Sequence, residues 1–229
     1  MKKNEVYIFG PSSSIAEEIS LILNSKNMKV RWVGSIKPDW ARNSKDAFYI
    51  VDYDSPNFLK ECNEFINEIG NVVFLGSPIQ QSLLHNTSDV DIDRILRGII
   101  ANPIKLLLRI IPNMIKSHYG RTIFIGSSIA EKGVVGSSIY ALAKSSYRNL
   151  VKSLAREYGS LGLTFNVLNL GYLGKGMANE LGLKKRQEFL NRTSNEIPVD
   201  TKEIGEWIYK IIESKSLNGA TIELDGGFI

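Results

Sequence analysis

The sequence contains very little cysteine and histidine. Cys62 is the one cysteine among 229 residues, and His85 and His118 are the two histidines. A single cysteine cannot form an internal disulfide. Two distant histidines without carboxylates at ligand spacing are not typical of a metal site. We therefore expect no bound metal ion.

The sequence also has no long apolar run and no strong excess of one charge. No apolar run reaches the roughly 18 residues of a membrane-spanning helix, and the charged N-terminal residues lead directly into a strand instead of a signal peptide. We expect a cytoplasmic protein that does not enter a membrane. The net charge is +4 with Lys and Arg spread along the chain, so nucleic-acid binding is not expected.

One basic group stands out from this even distribution. It consists of Lys184, Lys185, Arg186 and Arg192. Such a group is typical of a solvated helix face. The alternative is that it meets an acidic substrate or carrier protein.

Short apolar runs alternate with longer amphipathic stretches. This pattern predicts an α/β fold, a doubly wound parallel sheet of seven strands with helices on both faces. No repeat, low-complexity tract or linker interrupts it, so residues 1–229 are predicted to form a single domain. The predicted strands are 6–9, 29–33, 47–51, 71–75, 122–126, 164–169 and 220–224. The predicted helices are 15–25, 56–69, 91–117, 139–158 and 201–214.

Two residues of one predicted helix carry the strongest chemical signal. Tyr140 and Lys144 are four residues apart, so they share a helix face, where an ammonium can favour the ionised form of a phenol. Ser127 ends an apolar run upstream, and its hydroxyl can hydrogen-bond a substrate oxygen that the tyrosine protonates. Together these residues indicate reduction of a carbonyl group. Ser128 is the alternative serine, and a tyrosine beside a snorkelling lysine is the purely structural alternative.

The chain resembles the short-chain dehydrogenase/reductase family over nearly its whole length, and within it the 3-oxoacyl-(acyl carrier protein) reductases. The resemblance implies a Rossmann-type fold. It implies Tyr140 as proton donor, Lys144 as its activator and as a ligand of the nicotinamide ribose, and Ser127 as the residue that orients the carbonyl. It further implies a homotetramer or homodimer formed through two long helices. The stretches that carry it are 10–16, 120–127, 140–144, 166–177 and 224–227.

The resemblance implies a dinucleotide site at the carboxyl ends of the strands. Its glycine-rich turn keeps Gly10 but has Ser14 where the family has glycine; a strand, turn and helix with a serine cap would look the same without a ligand. The end of the second strand has Gly34 and Ser35 and no carboxylate, so NADP(H) is favoured over NAD(H). Positive charge there could come from Lys37, Arg31 or Arg42. The residues predicted to bind the cofactor are Gly10, Ser12, Ser13, Ser14, Ile15, Gly34, Ser35, Asp52, Gly76, Tyr140, Lys144, Gly171 and Leu173; for Asp52, capping of the next helix is an equal alternative.

Two departures from the family pattern bear on turnover. The run Leu75-Gly76-Ser77-Pro78 replaces Asn-Asn-Ala-Gly. Ile99 takes the place of an asparagine that holds a proton-relay water for the lysine. Asn102 lies one turn later, before Pro103. It could substitute through a local bulge, or it could serve in the core or cap a kink.

These residues lead us to expect NADPH-dependent reduction of a ketone to a secondary alcohol. The resemblance implies a 3-oxoacyl group on a carrier protein, in fatty-acid, lipid or polyketide-type biosynthesis. The alternative substrate is a keto-sugar or another small biosynthetic ketone. An alternative of another class is a catalytically weak, cofactor-binding structural subunit, which the two departures would explain.

Overall fold

A computed structural model describes residues 2–53, 55, 57–79, 81–174 and 183–229. Seven strands form one sheet in the order β3-β2-β1-β4-β5-β6-β7, and every pair is parallel. The strands are β1 Glu5–Phe9, β2 Lys29–Gly34, β3 Ala47–Ile50, β4 Asn71–Phe74, β5 Gly120–Ser127, β6 Leu163–Leu170 and β7 Thr221–Leu224. The predicted doubly wound, seven-stranded fold is thereby confirmed.

Helices connect the strands as the alternating pattern requires. They are α1 Ala16–Ser25, α2 Phe58–Glu61, α3 Asp89–Leu96, α4 Asn102–Lys116, α5 Ser128–Lys132, α6 Ser138–Tyr158, α7 Leu183–Leu190 and α8 Thr201–Glu213. Within the described residues, every helix is too short or too polar to span a bilayer.

Three local predictions were wrong. The helix predicted over 56–69 is a four-residue α2 followed by a 3₁₀ turn, Cys62–Glu64. The helix predicted over 91–117 is divided by a π-helical turn, Arg97–Ala101, which precedes Pro103. Proline has no N–H for the regular hydrogen-bond ladder, which favours such a distortion one turn earlier. Helices α5 and α7 were not predicted.

The core has one apolar layer on each face of the sheet. Alternate residues of β1 serve the two layers: Tyr7 and Phe9 pack on one side, and Val6 and Ile8 on the other. All five residues of β1 are buried, as expected for a central parallel strand covered on both faces. The sheet order reverses between β1 and β4, so the loops after these two strands border the crevice where ligands bind in open α/β sheets.

Candidate active site

Ser127 and Tyr140 are brought together at the carboxyl end of β5. Ser127 is the last residue of that strand, and Tyr140 lies in the first turn of α6. Each residue is 9% exposed. The side chains of Ser127 and Ser77 lie close enough to the Tyr140 hydroxyl to lower its pKa by hydrogen bonding. Three hydroxyl groups thus meet where a substrate oxygen could accept a proton.

The hydrogen bonds distinguish the two candidate serines. Ser128 begins α5, and its hydroxyl donates to Asp225 Oδ2 at 2.9 Å. Ser128 therefore joins β5 to the segment after β7, whereas Ser127 contacts the tyrosine hydroxyl. Of the two, the geometry favours Ser127 as the partner of Tyr140.

Lys144 is buried one turn along α6 from Tyr140. Its Nζ donates to the carbonyl oxygen of Ile125 at 2.6 Å. The same nitrogen lies 5.9 Å from the ring centroid of Tyr140 and 5.4 Å from that of Tyr147. Burial lowers the pKa of Lys144 to about 7, because a charged ammonium loses its hydration there. Near neutral pH this amine can therefore both hold and release a proton.

The pKa of Tyr140 differs from the expectation. Burial raises it above its usual value, and the hydrogen bonds with Ser127 and Ser77 oppose part of that rise. Hydrogen bonds to the phenolate favour it because they replace lost hydration. In the structure the two serines, rather than the Lys144 ammonium, oppose this rise, and the pKa of Tyr140 stays above its usual value.

The π-helical turn between α3 and α4 contacts the helix that carries Lys144. In a regular helix the carbonyl of Ile99 would accept from residue 103, but Pro103 has no N–H. The Tyr147 hydroxyl donates to that carbonyl at 2.7 Å. Tyr147 is fully buried, and burial raises its pKa far above the usual value, so its hydroxyl keeps its proton.

The structure places Asn102 in a supporting position. It is 1% exposed, and its Nδ2 donates to the carbonyl oxygen of Tyr53 at 2.6 Å. The π-helical turn provides the local bulge that one of the two hypotheses for Asn102 requires. The side chain is bound to the loop after β3, so Asn102 has a buried role in the core and does not cap the kink.

The loops after β1 and β4 cross in direct contact. Gly10 has a positive φ of +118°, and a side chain there would collide with the backbone of Gly76. A Cβ on Gly76 would in turn lie 2.8 Å from the Gly10 Cα. The Gly76 N–H donates to the carbonyl of Phe9 at 2.7 Å. Glycine at both positions is thus required by the packing of the two loops.

The turn before α1 fits a phosphate group. The N-cap residue of α1, Ile15, makes no side-chain capping bond, and the N-terminal end of a helix without such a cap can bind an anion. Ser12 and Ser14 are exposed, and Ser13 is half-buried. Ser14 lies outside the left-handed region, so a residue other than glycine is tolerated there without strain. Ile15 is buried in the core and offers only its backbone.

The two residues at the end of β2 that are predicted to contact the cofactor, Gly34 and Ser35, have no carboxylate. A side chain on Gly34 would collide with the ring of Pro11, so packing alone requires glycine there. Ser35, the next residue, is exposed. Among the three proposed cations, Lys37 is exposed, with its ammonium 5.1 Å from the centroid of the Phe48 ring.

The two arginines near this strand are held by acidic partners. Arg31 Nη2 contacts Glu5 Oε1 at 3.0 Å, and Glu5 is 2% exposed. Arg42 Nη2 contacts Asp39 Oδ1 at 2.8 Å on the surface. Of the proposed cations, Lys37 is therefore the best placed to meet a phosphate beside Ser35.

The remaining predicted cofactor residues lie at the same edge of the sheet. Asp52 is exposed in the turn after β3. Gly171 follows β6, and its N–H donates to Leu224 O at 2.9 Å. Leu173 is half-buried against the core. Among the described residues, no group of three or more His, Cys, Asp or Glu side chains could hold a metal ion.

The chain matches a known protein family over most of its length. The family model described as short chain dehydrogenase matches residues 4–186, more than half of the chain. The chain belongs to the short-chain dehydrogenase family. Membership makes it an oxidoreductase of the kind that acts on carbonyl or CH–OH groups.

Relatives of this short-chain dehydrogenase include two kinds of reductase. It is 26% identical over 233 residues to the 3-oxoacyl-(acyl-carrier-protein) reductase FabG of Rickettsia typhi, covering 97% of this chain and 95% of that protein. It is 25% identical over 232 residues to carbonyl reductase family member 4 of Xenopus tropicalis, covering 96% and 95%. A solved structure of a short chain dehydrogenase/reductase family protein superposes with a TM-score of 0.87 at 16% identity, covering 97% of this chain and 96% of that one. That last likeness concerns the fold.

Sequence reasoning missed two residues of this short-chain dehydrogenase site. Ser77 was noted only as part of a departure from a motif, yet it contacts the Tyr140 hydroxyl. Tyr147 was not singled out, although it lies three residues after Lys144 on the same helix face. Two features of the sequence could have indicated Tyr147: its spacing from Lys144, and Pro103, which leaves the Ile99 carbonyl without its helical N–H partner.

The basic group predicted from the sequence is only partly described. Arg192 Nε donates to Ile229 O at 2.9 Å, and its guanidinium lies 4.6 Å from the centroid of the Phe228 ring. Arg192 therefore binds the C-terminal segment of its own chain. The side chains of Lys184 and Lys185 lie outside the described residues.

Proposed function

We propose that this protein reduces a ketone to a secondary alcohol with NADP(H), preferred over NAD(H), and that its substrate is a 3-oxoacyl group on an acyl carrier protein. The observation that carries the proposal is that Ser127 ends β5 next to Tyr140 in the first turn of α6, with Lys144 buried one turn farther along that helix. The Rickettsia relative, named for this reaction, supports the choice of substrate. We further propose that residues 1–229 act as one domain and assemble as a homotetramer or homodimer.

Each of the three side chains has a separate task. Ser127 donates a hydrogen bond to the carbonyl oxygen and orients it toward Tyr140. Tyr140 gives its proton to that oxygen as negative charge develops, a form of acid catalysis worth about 10²–10⁴ in rate. The pKa of Lys144 is lowered to about 7. In its protonated form the Lys144 ammonium stabilises the tyrosinate, and it also binds the hydroxyls of the nicotinamide ribose.

The loops at the carboxyl edge would hold the cofactor, which supplies the hydride when bound. The amides of Ser12 and Ser14 would bind its diphosphate at the start of α1, where the Ser13 N–H donates to Gly10 O at 3.2 Å and the Ser13 hydroxyl could reach the same group. Ser35 and Lys37 would meet the 2′-phosphate, where a carboxylate would repel it. The other residues assigned to the cofactor are Gly10, Ile15, Gly34, Asp52, Gly76, Gly171 and Leu173.

The test combines cofactor binding with turnover. NADPH and NADH are titrated by fluorescence, and NADPH oxidation is followed with a 3-oxoacyl carrier-protein thioester, a free 3-oxoacyl ester and a keto-sugar. We expect tighter NADPH binding and the highest kcat/KM on the carrier-bound substrate. Tyr140→Phe should abolish reduction and keep NADPH affinity, because the phenol acts on the transition state. Binding of NADPH without turnover of any ketone would instead support a structural subunit. A higher kcat/KM on the keto-sugar would mean that the substrate is a small ketone and not a carrier-bound 3-oxoacyl group.

A further inference from the structure

The carboxyl ends of β5, β6 and β7 lie side by side. The sheet register places the last residues of these strands in one row: Ser127, Leu170 and Leu224. The chain leaves β5 at Ser128, and it leaves β7 at Asp225. Whatever binds these two residues therefore acts directly beside Ser127, the serine that orients the carbonyl in the proposed reaction.

Gly171 leaves the space in which Asp225 reaches Ser128. A Cβ on Gly171 would lie 2.5 Å from the Asp225 Cα and 2.9 Å from its Cβ, so a side chain there would displace the aspartate. With glycine at this position, Asp225 Oδ2 accepts a hydrogen bond from the Ser128 hydroxyl at 2.9 Å. Ser128 is 2% exposed. A hydrogen bond to a carboxylate is about twice as strong as one between neutral groups, so this contact can hold the end of β5 in place.

The Asp225 carboxylate is itself fixed from the other side. Its second oxygen, Oδ1, accepts the N–H of Gly227 at 3.0 Å. The carbonyl of Gly227 in turn accepts both the N–H and the hydroxyl of Ser194, at 3.3 and 3.0 Å. Phe228, the next residue, is 3% exposed. The aspartate therefore belongs to a segment that is anchored on the protein, and it can act as a rigid support for Ser128.

A second contact between the same elements is weaker. Arg148 of α6 joins Glu131 of α5 to Glu223 of β7, at 3.1 and 2.9 Å. All three side chains are partly exposed, and ion pairs of this kind contribute little to stability. The hydrogen bond between Ser128 and Asp225 is thus the stronger of the two connections between the end of β5 and the segment after β7.

We propose that Asp225 is a positioning residue for Ser127. By holding the hydroxyl of Ser128, it fixes the peptide that follows Ser127 and thereby the direction in which the Ser127 hydroxyl meets the substrate carbonyl. Groups that act on a substrate must be held within about 0.5 Å of their productive position, and a displacement of about 1 Å can cost about a hundredfold in rate. This role rests on the proposed reductase function.

Removal of the carboxylate is the direct test. Asp225→Ala should lower kcat by about tenfold or more and keep NADPH affinity within about twofold, because Ser127 acts on the transition state. Asp225→Asn keeps a side chain that can hydrogen-bond with Ser128 and should retain most of the rate. Asp200→Ala is the matched control. Asp200 Oδ1 accepts the N–H of Lys202, two residues later, at 2.9 Å, but this aspartate caps α8, so its loss should leave kcat unchanged.

Combined variants distinguish positioning from a general effect on the fold. Ser128→Ala breaks the same hydrogen bond from the other side and should lower kcat by a factor similar to that of Asp225→Ala. When both are changed, the second substitution should add less than about twofold. In a Ser127→Ala background no hydroxyl is left to position, so Asp225→Ala should again change kcat by less than about twofold. Losses that multiply in full in either pair would overturn the proposal.

Crystal structures of the wild type and of the two Asp225 variants keep this inference separate from the reductase proposal. Relative to Tyr140, the Ser127 Oγ should move by about 0.5 Å or more in Asp225→Ala and stay in place in Asp225→Asn. A wild type that reduces no ketone refutes the reductase proposal, and the position of Ser127 alone then decides whether Asp225 holds it. A serine that does not move in Asp225→Ala overturns the role of Asp225. An active wild type whose Asp225→Ala variant keeps its kcat also overturns that role and leaves the reductase proposal intact.

Discussion

The Tyr147 hydroxyl donates a hydrogen bond to the carbonyl oxygen of Ile99, at 2.7 Å. Because Pro103 cannot supply the N–H that this carbonyl would meet in a regular helix, the tyrosine satisfies a buried acceptor. The same bond joins the π-helical turn to α6, the helix that carries Tyr140 and Lys144.

Tyr147→Phe should therefore lower the free energy of unfolding by about 1–3 kcal/mol, the usual cost of leaving a buried acceptor unpaired. The control is Tyr7→Phe, since the buried Tyr7 hydroxyl has no hydrogen-bond partner among the described residues. That variant should change stability by less than about 1 kcal/mol. Urea denaturation measures both. Equal losses in the two variants would show that the hydrogen bond to Ile99 does not contribute to the free energy of unfolding.

Lys144 predicts a pH dependence of stability. Its pKa is lowered to about 7 in the folded chain from 10.5, so between these values the unfolded chain holds a proton that the folded chain lacks. Stability then rises with pH across this interval, by at most about 1.4 kcal/mol per pH unit. Below pH of about 7 both states are protonated, and the burial cost of the ammonium is constant.

Lys144→Met removes this titration while retaining an unbranched side chain. The unfolding free energy of the wild type minus that of the variant should increase as the pH rises from about 7.5 to about 9.5. Urea melts at a series of pH values supply the comparison, in which all other titrating groups are shared. Parallel profiles would mean that Lys144 stays protonated in the folded protein.

The cofactor preference is best tested at Ser35. Gly34→Asp would displace the Pro11 ring and disturb the phosphate loop for either dinucleotide. Ser35→Asp places a carboxylate at an exposed position beside the proposed 2′-phosphate site. It should weaken NADPH binding by about tenfold or more and affect NADH less, because like charges repel. The neutral variant Ser35→Asn should keep the NADPH preference, and an equal loss for both cofactors would contradict the assignment.

The proposed assembly through the long helices can be tested on two exposed leucines. Leu108 on α4 is 69% exposed and Leu142 on α6 is 60% exposed. The double variant Leu108→Glu, Leu142→Glu should dissociate the oligomer, because a charge is costly in an apolar interface. Leu21→Glu on α1, where the leucine is 65% exposed, is the control and should leave the mass unchanged in light scattering. A monomeric wild type would refute the assembly itself.

The C-terminal segment packs against its own chain. Phe228 is 3% exposed and stacks on Phe189 of its own chain, with ring centroids 6.4 Å apart. Deleting it would therefore disturb this chain's own packing as well as any interface. Ile229, at 69% exposure, is the residue of this pair that a neighbouring copy could contact.

The sequence was sufficient for the fold because each strand is a short apolar run and each long helix has an apolar face. It was also sufficient to place Ser127 near Tyr140, since a strand end and a helix start with fixed spacing meet at one edge of the sheet. It could not place Ser77, because the course of an irregular loop depends on contacts such as that between Gly10 and Gly76. It could not show the pKa of Tyr140 either, since that depends on burial by distant segments.

The all-parallel sheet has a consequence for how this chain is made. No two neighbouring strands can pair as a hairpin, so each pairing must wait for a crossover to close, which slows folding. On the ribosome, β1 can pair with β2 early, but its other edge remains open until β4 has been synthesised. During that interval an apolar strand edge is accessible to other nascent chains. Chaperone demand should therefore be greatest before β4 leaves the ribosome.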